Sequence, residues 1–561
     1  MKGTFRQSMK WLHTWVGLVV VWILFFMFIT GTAGYFDTEI TRWMQPERPL
    51  IAPDVSKEKM LNLSQSYLTE HGGEAERWII QLPNRRNGNL TVRWIEPAKE
   101  GERRGQNTSE ILNTETGQEA KQARETAGGR DLYRMHYALH YMPNIVAYWL
   151  VGFCTMLMLV AVITGVIFHK KIFSDFFTFR AKKGLIGWLD VHNILSVVAL
   201  PFHFMITYSG LVFFLATYMM LGLNLGLNEE SRDEYFAAVF PRAITVEKAG
   251  TAHTLPSLSD MYLKSQSYWS ADMLDRVIIQ HPNDVNARVQ FTRLDTDITY
   301  NPNDEMFFNG NGELMSVPPR EITTSGQIHR GFLSLHEGLF ANAPVRWLYL
   351  LVGLMGAAMI ASGGILWTTK RKPKQDKNPN GPDFGYRLVE QLNIGSFVGL
   401  PIAIAVYFCA NRLLPVGMEN RADWEMHCLF ISWALLLIYP AFRSGIKAWL
   451  EQLQLAAVIF MFIPILNFLT TDKHLGITLP IGDWNYAGFD LVMVALGISF
   501  GFAAHKVKQH IVNQARSKSR SSARSTTQKA RKVIRKTATK PSVAPATKTA
   551  TAELLQRKVS T

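Results

Sequence analysis

Seven histidines stand in or beside apolar runs of this chain, and they fall at two levels. His13, His169 and His192 lie at one membrane edge, while His136, His140, His203 and His336 lie nearer the other. An ionisable side chain in or next to lipid is costly without a partner, so its chemistry is the first thing to ask about. Neutral imidazole is a standard axial ligand of haem iron. Two tiers of imidazoles within a helix bundle suit a transmembrane electron path built on two haems. The 3 cysteines (Cys154, Cys409 and Cys428) form no C-x-x-C or C-x-x-C-H, which leaves a disulfide framework, a zinc ribbon and covalent haem attachment unsupported. Any haem would therefore be b-type and held by histidine.

Spacing sharpens the set. His192 and His203 are 11 residues apart, and on a straight α-helix they would differ by only about 20° around the axis and lie about 16 Å apart along it. One helix would then offer a ligand to each of two stacked haems. His13 and His192 occupy equivalent places in an internal repeat, which favours them as the inner pair; His169 stands at similar depth as an alternative or a propionate contact. For the outer pair the repeat favours His140 with His336. The choice stays open, because His203 lies deeper and His136 precedes His140 by one helical turn. A single histidine at a helix end is ordinarily interfacial; agreement of depth, face and repeat is what lifts this set above that reading.

The elements that must position these residues are membrane helices. Eight segments are long and apolar enough to span: 11–36, 145–168, 188–222, 345–367, 388–410, 424–442, 449–470 and 486–504. The first has no small-residue cleavage site and continues into Phe36-Asp37-Thr38-Glu39, so it reads as a retained anchor. Short basic flanks fall on one side of such a bundle: Lys2, Arg6 and Lys10; Lys170, Lys171, Arg180, Lys182 and Lys183; Lys370 to Lys374; Arg443 and Lys447. By the positive-inside rule both termini are expected in the cytoplasm. The formal net charge of +14 resides in the C-terminal tail, where 506–561 holds Lys506 and fourteen further Lys/Arg against the single acid Glu553. That composition predicts a solvated, disordered anchor at the lipid surface, with no specific nucleic-acid partner.

Two polar segments, 37–140 and 223–335, fall on the opposite side. Each predicts a helix (Lys57–His71; Leu258–Tyr268), two alternating strands (Trp78 to Leu82 and Leu90 to Trp94; Arg276 to Gln280 and Ala287 to Phe291) and a glycine turn. The expected fold is a mainly α-helical polytopic membrane protein with two small α+β modules outside the membrane. Its parts are span one (1–36), the first module (37–140), spans two and three (141–222), the second module (223–335), span four with its basic stop (336–372), a linker (373–387), spans five to eight (388–505) and the tail (506–561). The unit helix–module–helix occurs twice, and parallel repeats place equivalent residues at equal depth.

Several stretches carry a resemblance: Leu12-His13-Thr14-Trp15-Val16-Gly17-Leu18, Ile29-Thr30-Gly31, Thr164-Gly165-Val166-Ile167-Phe168-His169-Lys170-Lys171, Asp190-Val191-His192, Leu335-His336-Glu337-Gly338 and Gly363-Gly364. In order and spacing, over about residues 8–372, the chain resembles the PepSY-associated transmembrane-helix family. The two modules look like PepSY domains, with Asn113-Thr114-Glu115-Thr116-Gly117 resembling their turn. Helices five to eight lie outside that shared core. The resemblance implies inner-membrane haem proteins that, in some branches, reduce ferric siderophores.

The expected activity is thus that of an oxidoreductase: one-electron transfer through two haems b to a ferric siderophore or other ferric chelate outside, for iron acquisition. Iron release would follow because hard oxygen donors hold Fe(II) weakly. No G-x-G-x-x-G stands in the cytoplasmic parts, so the donor is expected to be a quinol or a separate cytoplasmic protein. Arg134, Arg330 and Tyr137, with Arg346, Tyr133 and Tyr141, cluster near the outer entry of helices two and four and would steer an anionic chelate. Two other classes compete: a non-catalytic membrane protein that binds peptides or regulates a protease, and a transporter using helices five to eight. Against transport, Glu390, Glu425, Glu451 and Asp490 sit near helix ends, where charge is cheap.

Overall fold

A computed structural model describes residues 4–48, 55–84, 87–99, 105–169, 184–218, 228, 231, 234–236, 246–269, 273–294, 298–299, 304–315, 323–443 and 445–537. The basic loop from Lys170 to Lys183 lies outside the described residues. From the N-terminus, α1 (Phe5–Gly34) leads through α2 (Asp37–Met44) to α3 (Lys57–His71), strands β1 (Arg77–Gln81), β2 (Leu90–Ile95) and β3 (Asn107–Leu112), and α4 (Gly128–Ala138). Next come α5 (Asn144–Phe168), then α6 (Leu185–Val198) and α7 (Leu200–Phe213). The second module follows with α8 (Leu258–Ser265), β4 (Leu274–Gln280), β5 (Arg288–Arg293), β6 (Glu305–Phe308) and α9 (Thr324–Glu337). The chain ends with α10 (Ala343–Gln375), α11 (Phe384–Phe397), α12 (Gly399–Leu413), α13 (Arg421–Ile438), α14 (Gly445–Thr470) and α15 (Trp484–Thr537).

Among the described residues, 7 helical segments have the length and hydropathy to cross a membrane, and a bent pair makes up to 8. They match the expected spans closely, with one correction. The third span is not one straight helix: α6 and α7 meet at 67°. Pro201 explains the break, since it has no N–H to give to Val197 and its ring crowds that carbonyl. The shared face expected for His192 and His203 therefore does not exist.

The two modules are also not separate. Their strands form a single 6-stranded antiparallel sheet in the order β3-β2-β1-β4-β5-β6. The join is the β1–β4 pair, with Ile79 opposite Ile278 at its centre. Pairing the two modules edge to edge covers the β1 and β4 edges that each alone would expose. Alternation does the rest: Trp78, Ile80, Val92, Val277, Ile279, Val289, Phe291 and Phe308 point to one face and are buried in a common core with Leu61 and Leu68 of α3 and Leu258 of α8.

Helices α11 to α15 are tied to the sheet-side end of the bundle by buried polar groups. Trp43 donates Nε1–H to Asp490 at 3.0 Å, Asn467 donates to the other Asp490 oxygen at 2.9 Å, and Arg412 donates to Asn467 at 2.9 Å. Arg421 and Glu425 form a fully buried ion pair within one helical turn of α13. The charges expected to be cheap at helix ends, Glu425 and Asp490, are thus buried and fully engaged. Arg124 pairs with Glu47 at 2.7 Å nearby. Burial alone would raise the Glu47 carboxyl, but its hydrogen bond and charge contact with Arg124 hold it below the ordinary value. A depressed carboxylate stabilises the fold above its ordinary pKa of about 4.5, and that contribution is lost as pH falls through the folded value. Wild-type thermal stability is accordingly expected to drop more steeply than that of Glu47→Gln below about pH 4.5; parallel acid profiles would contradict this.

The second compact unit, Ala503–Thr561, is helical as far as Thr537, whereas its composition predicted disorder. Residues 538–561 lie outside the described residues.

Candidate functional site

Four of the seven histidines meet as two pairs. Toward the N-terminal end of α1 the rings of His13 on α1 and His192 on α6 are 6.3 Å apart, centre to centre. At the sheet side His136 on α4 and His336 on α9 are 6.0 Å apart. An imidazole nitrogen binds a transition metal at about 2 Å and sits about 1.2 Å from its ring centre, so two rings on opposite sides of one iron lie about 6.4 Å apart. Both pairs have that spacing. On α1, His13 and the turn that receives His136 are separated by about 20–25 Å of helix rise.

Each of the four rings is held by Nδ1 on a different helix. His13 Nδ1 donates to the Ala161 carbonyl at 2.8 Å and His136 Nδ1 to the Met27 carbonyl at 2.7 Å. His192 Nδ1 reaches the Met359 carbonyl and the Ser362 hydroxyl, both at 3.0 Å, and His336 Nδ1 meets the Ser209 hydroxyl at 2.9 Å. Among the described residues no Nε2 of the four makes a hydrogen bond. A metal-binding histidine has this pattern: one nitrogen fixes tautomer and ring orientation, and the other is left for the metal. Outside the spans, burial pushes the His136 imidazole down; burial, with His136 alongside, pushes His336 down to about 3. Both are neutral at pH 7, the form a metal takes.

A cavity of about 480 Å³ opens beside the outer pair, lined by His136, His336, Phe28, Tyr35, Tyr137 and Phe213 among others. That volume falls within the range of cofactor pockets, and the walls are mostly apolar with a few polar groups.

The other expected ligands stand apart. His140 does not join His336; it stacks on Phe430 of α13, 5.3 Å away, next to Tyr141. The physical reason is the end of α4: Leu139 has φ 54°, which breaks the helix between His136 and His140 and turns the latter outward. His169 Nε2 lies 3.3 Å from the Asn193 amide rather than in the inner pair. His203 is 1% exposed and lies against Phe28 and Gly356. It approaches the Val352 carbonyl, yet neither ring nitrogen makes a well-aligned hydrogen bond.

The residues expected to steer substrate divide in the same way. Tyr137 lines the cavity and packs on Tyr133, whose hydroxyl donates to Glu337 at 3.1 Å. Arg134 is exposed and meets Asn144 at 3.4 Å. Arg330 is half-buried on α9 and does not line the cavity. Arg346 cannot steer anything: it is buried and paired with Glu39 at 2.6 Å.

The seating role of the glycines and hydroxyls under the imidazoles was missed from the sequence, although Thr30-Gly31, Thr164-Gly165 and Gly363 stand in the stretches that carry the resemblance. Thr30-Gly31, Thr164-Gly165, Ser209-Gly210 and Ser362-Gly363 each stand where a histidine docks. The signal was present as four Ser/Thr-Gly steps, one in each helix of the repeated core.

A duplicated helix–module–helix bundle with two histidine pairs defines a polytopic membrane protein. Residues 10–370 match the model of the PepSY-associated TM region, and the chain belongs to that family. It is also similar to an uncharacterized protein of Pseudomonas aeruginosa, 22% identical over 316 residues, which cover 54% of this chain and 77% of that one.

Proposed function

We propose that this protein is a transmembrane electron carrier with two b-type haems, one between His13 and His192 and one between His136 and His336, and that it reduces a ferric chelate on the sheet side. The observation that carries the reading is the close pair of imidazoles at each end, 6.3 and 6.0 Å apart, all four anchored through Nδ1 with no hydrogen bond at Nε2 among the described residues. Bound haem would supply reversible one-electron chemistry at each site. The chain's own part is to fix each ligand and to space the two sites along α1. His203 packs against Phe28, which also lines the outer cavity. Apolar walls at the outer cavity exclude water, and Tyr133, Tyr137 and Glu337 form its polar margin.

In this reading the termini lie in the cytoplasm of a bacterium and the sheet in the periplasm. Electrons enter at the His13–His192 end from a quinol or a partner protein, and the ferric siderophore meets the His136–His336 end. Transport is not favoured, because Glu425 and Asp490 are locked in closed hydrogen-bonded clusters. The test is anaerobic stopped-flow oxidation of the pre-reduced protein. A ferric hydroxamate or catecholate is expected to reoxidise it in a saturable manner, while the gallium complex of the same chelator does not. Reoxidation by oxygen but by no ferric chelate would refute the reductase assignment.

A further inference from the structure

The four histidine seats share one construction that the haem reading does not require. In each, the ring docks on a helix at a carbonyl four residues before a glycine: Ala161 before Gly165, Met27 before Gly31, Met359 before Gly363, and Ile206, close to His336, before Gly210. In each, the residue before the glycine is Thr or Ser, and its hydroxyl bends back to the same turn. Thr30 Oγ1 donates to Phe26 and also approaches Met27 at 3.3 Å, and Thr164 Oγ1 donates to Val160 with Ala161 at 3.2 Å. Ser362 Oγ donates to Met359 at 2.7 Å, and Ser209 Oγ to Met205 at 2.6 Å. Such back-bonding opens a helix turn locally, and the missing side chain at glycine lets the imidazole reach the carbonyl.

The seats come in matched kinds. Each pair has one threonine seat, where Nδ1 meets only a carbonyl (His13 and His136), and one serine seat, where Nδ1 also faces a hydroxyl (His192 and His336). The hydroxyl gives its proton to the helix and can accept the Nδ1 proton of the ring. We infer that Ser209 and Ser362 are positioning residues that tune the outer and inner metal centres through His336 and His192, on glycine-floored seats that the other two histidines share. This rests on the haem reading above.

An acceptor on Nδ1–H raises the basicity of Nε2 and favours the oxidised metal. For His336 the serine is the well-aligned acceptor, whereas His192 keeps the Met359 carbonyl. Ser209→Ala is therefore expected to shift the outer centre toward its reduced form by up to about tenfold in equilibrium constant, about 59 mV for one electron. Ser362→Ala shifts the inner centre less. Ser209→Thr keeps a hydroxyl on the same atom position and is expected to restore the wild-type value.

The glycines add a graded test. A Cβ at Gly31 would lie 2.6 Å from His136 Nδ1, at Gly165 or Gly210 3.2 Å from His13 or His336, and at Gly363 3.4 Å from His192. Gly31→Ala must push its ring away, while Gly363→Ala is an ordinary contact. The experiment is a redox titration of the purified protein, with low-temperature electron paramagnetic resonance, on Ser209→Ala, Ser209→Thr, Ser362→Ala, Gly31→Ala and Gly363→Ala. Support is a positive shift of one centre in Ser209→Ala, its reversal in Ser209→Thr, and loss of a low-spin signal in Gly31→Ala but not Gly363→Ala. Unchanged potentials and spectra in Ser209→Ala, or equal behaviour of the two glycine variants, would overturn the inference and leave the haem assignment standing. Wild-type protein without haem would overturn both.

Discussion

His136→Ala is expected to leave one b-type haem per chain in place of two, whereas His140→Ala keeps both. The two residues sit one helical turn apart in sequence, and on a continuous α4 they would face the same way. The structure separates them at Leu139, whose φ of 54° ends the helix. His136 then turns inward, anchored on Met27 and 6.0 Å from His336. His140 turns outward to Phe430. Loss of an axial ligand to haem iron removes most of what holds a non-covalent haem, so the expected effect is near-complete loss at that site. Haem content per chain by pyridine haemochrome, with optical spectra of both variants, checks this. Full haem content in His136→Ala together with loss in His140→Ala would place the outer site elsewhere.

The second large effect concerns helices α11 to α15. Glu425→Ala is expected to destabilise the protein by about 3–5 kcal/mol, because it leaves the fully buried Arg421 without its counter-charge. The carboxylate also accepts from Asn411 at 2.7 Å, from the Thr126 hydroxyl at 2.6 Å and from the Ala127 N–H at 3.1 Å. Ala127 is the residue that opens α4, and it has no side-chain cap of its own. Glu425 therefore caps from α13 the helix that carries His136, and Tyr407 of α12 holds the adjoining Gly128 carbonyl at 2.8 Å. This connects the C-terminal helices, which lie outside the family match, to the outer histidine pair. The variant is expected to lose outer haem before inner haem on warming. Equal loss of both sites, or a change in unfolding midpoint equivalent to less than 1 kcal/mol or so, would contradict the capping role.

Much of the frame was legible in the sequence because hydropathy alone reports it: the expected spans coincide with α1, α5, α10 and the four C-terminal crossings. The equivalence of His13 and His192 was legible because a duplicated unit repeats its depth. His136 was not separable from His140, because a positive φ at a leucine leaves no compositional trace. The shared face of His192 and His203 was not to be had because Pro201 breaks the helix within an apolar run that hydropathy reports as continuous. The two modules appeared independent because strand pairing between distant segments has no local signature; only the register from Arg77 to Gln81 against Arg276 to Gln280 reveals it. Glu425 and Asp490 looked like surface charges because their partners come from other helices, Asn411 and Asn467 among them.

The most direct test is the reduced-minus-oxidised optical and electron paramagnetic resonance spectrum of the protein purified from haem-replete cells. Two low-spin, bis-histidine b-type haems per chain are expected, with His13→Ala or His192→Ala removing one and His136→Ala or His336→Ala removing the other. A protein without haem, or one whose haem survives all four substitutions, would contradict the account.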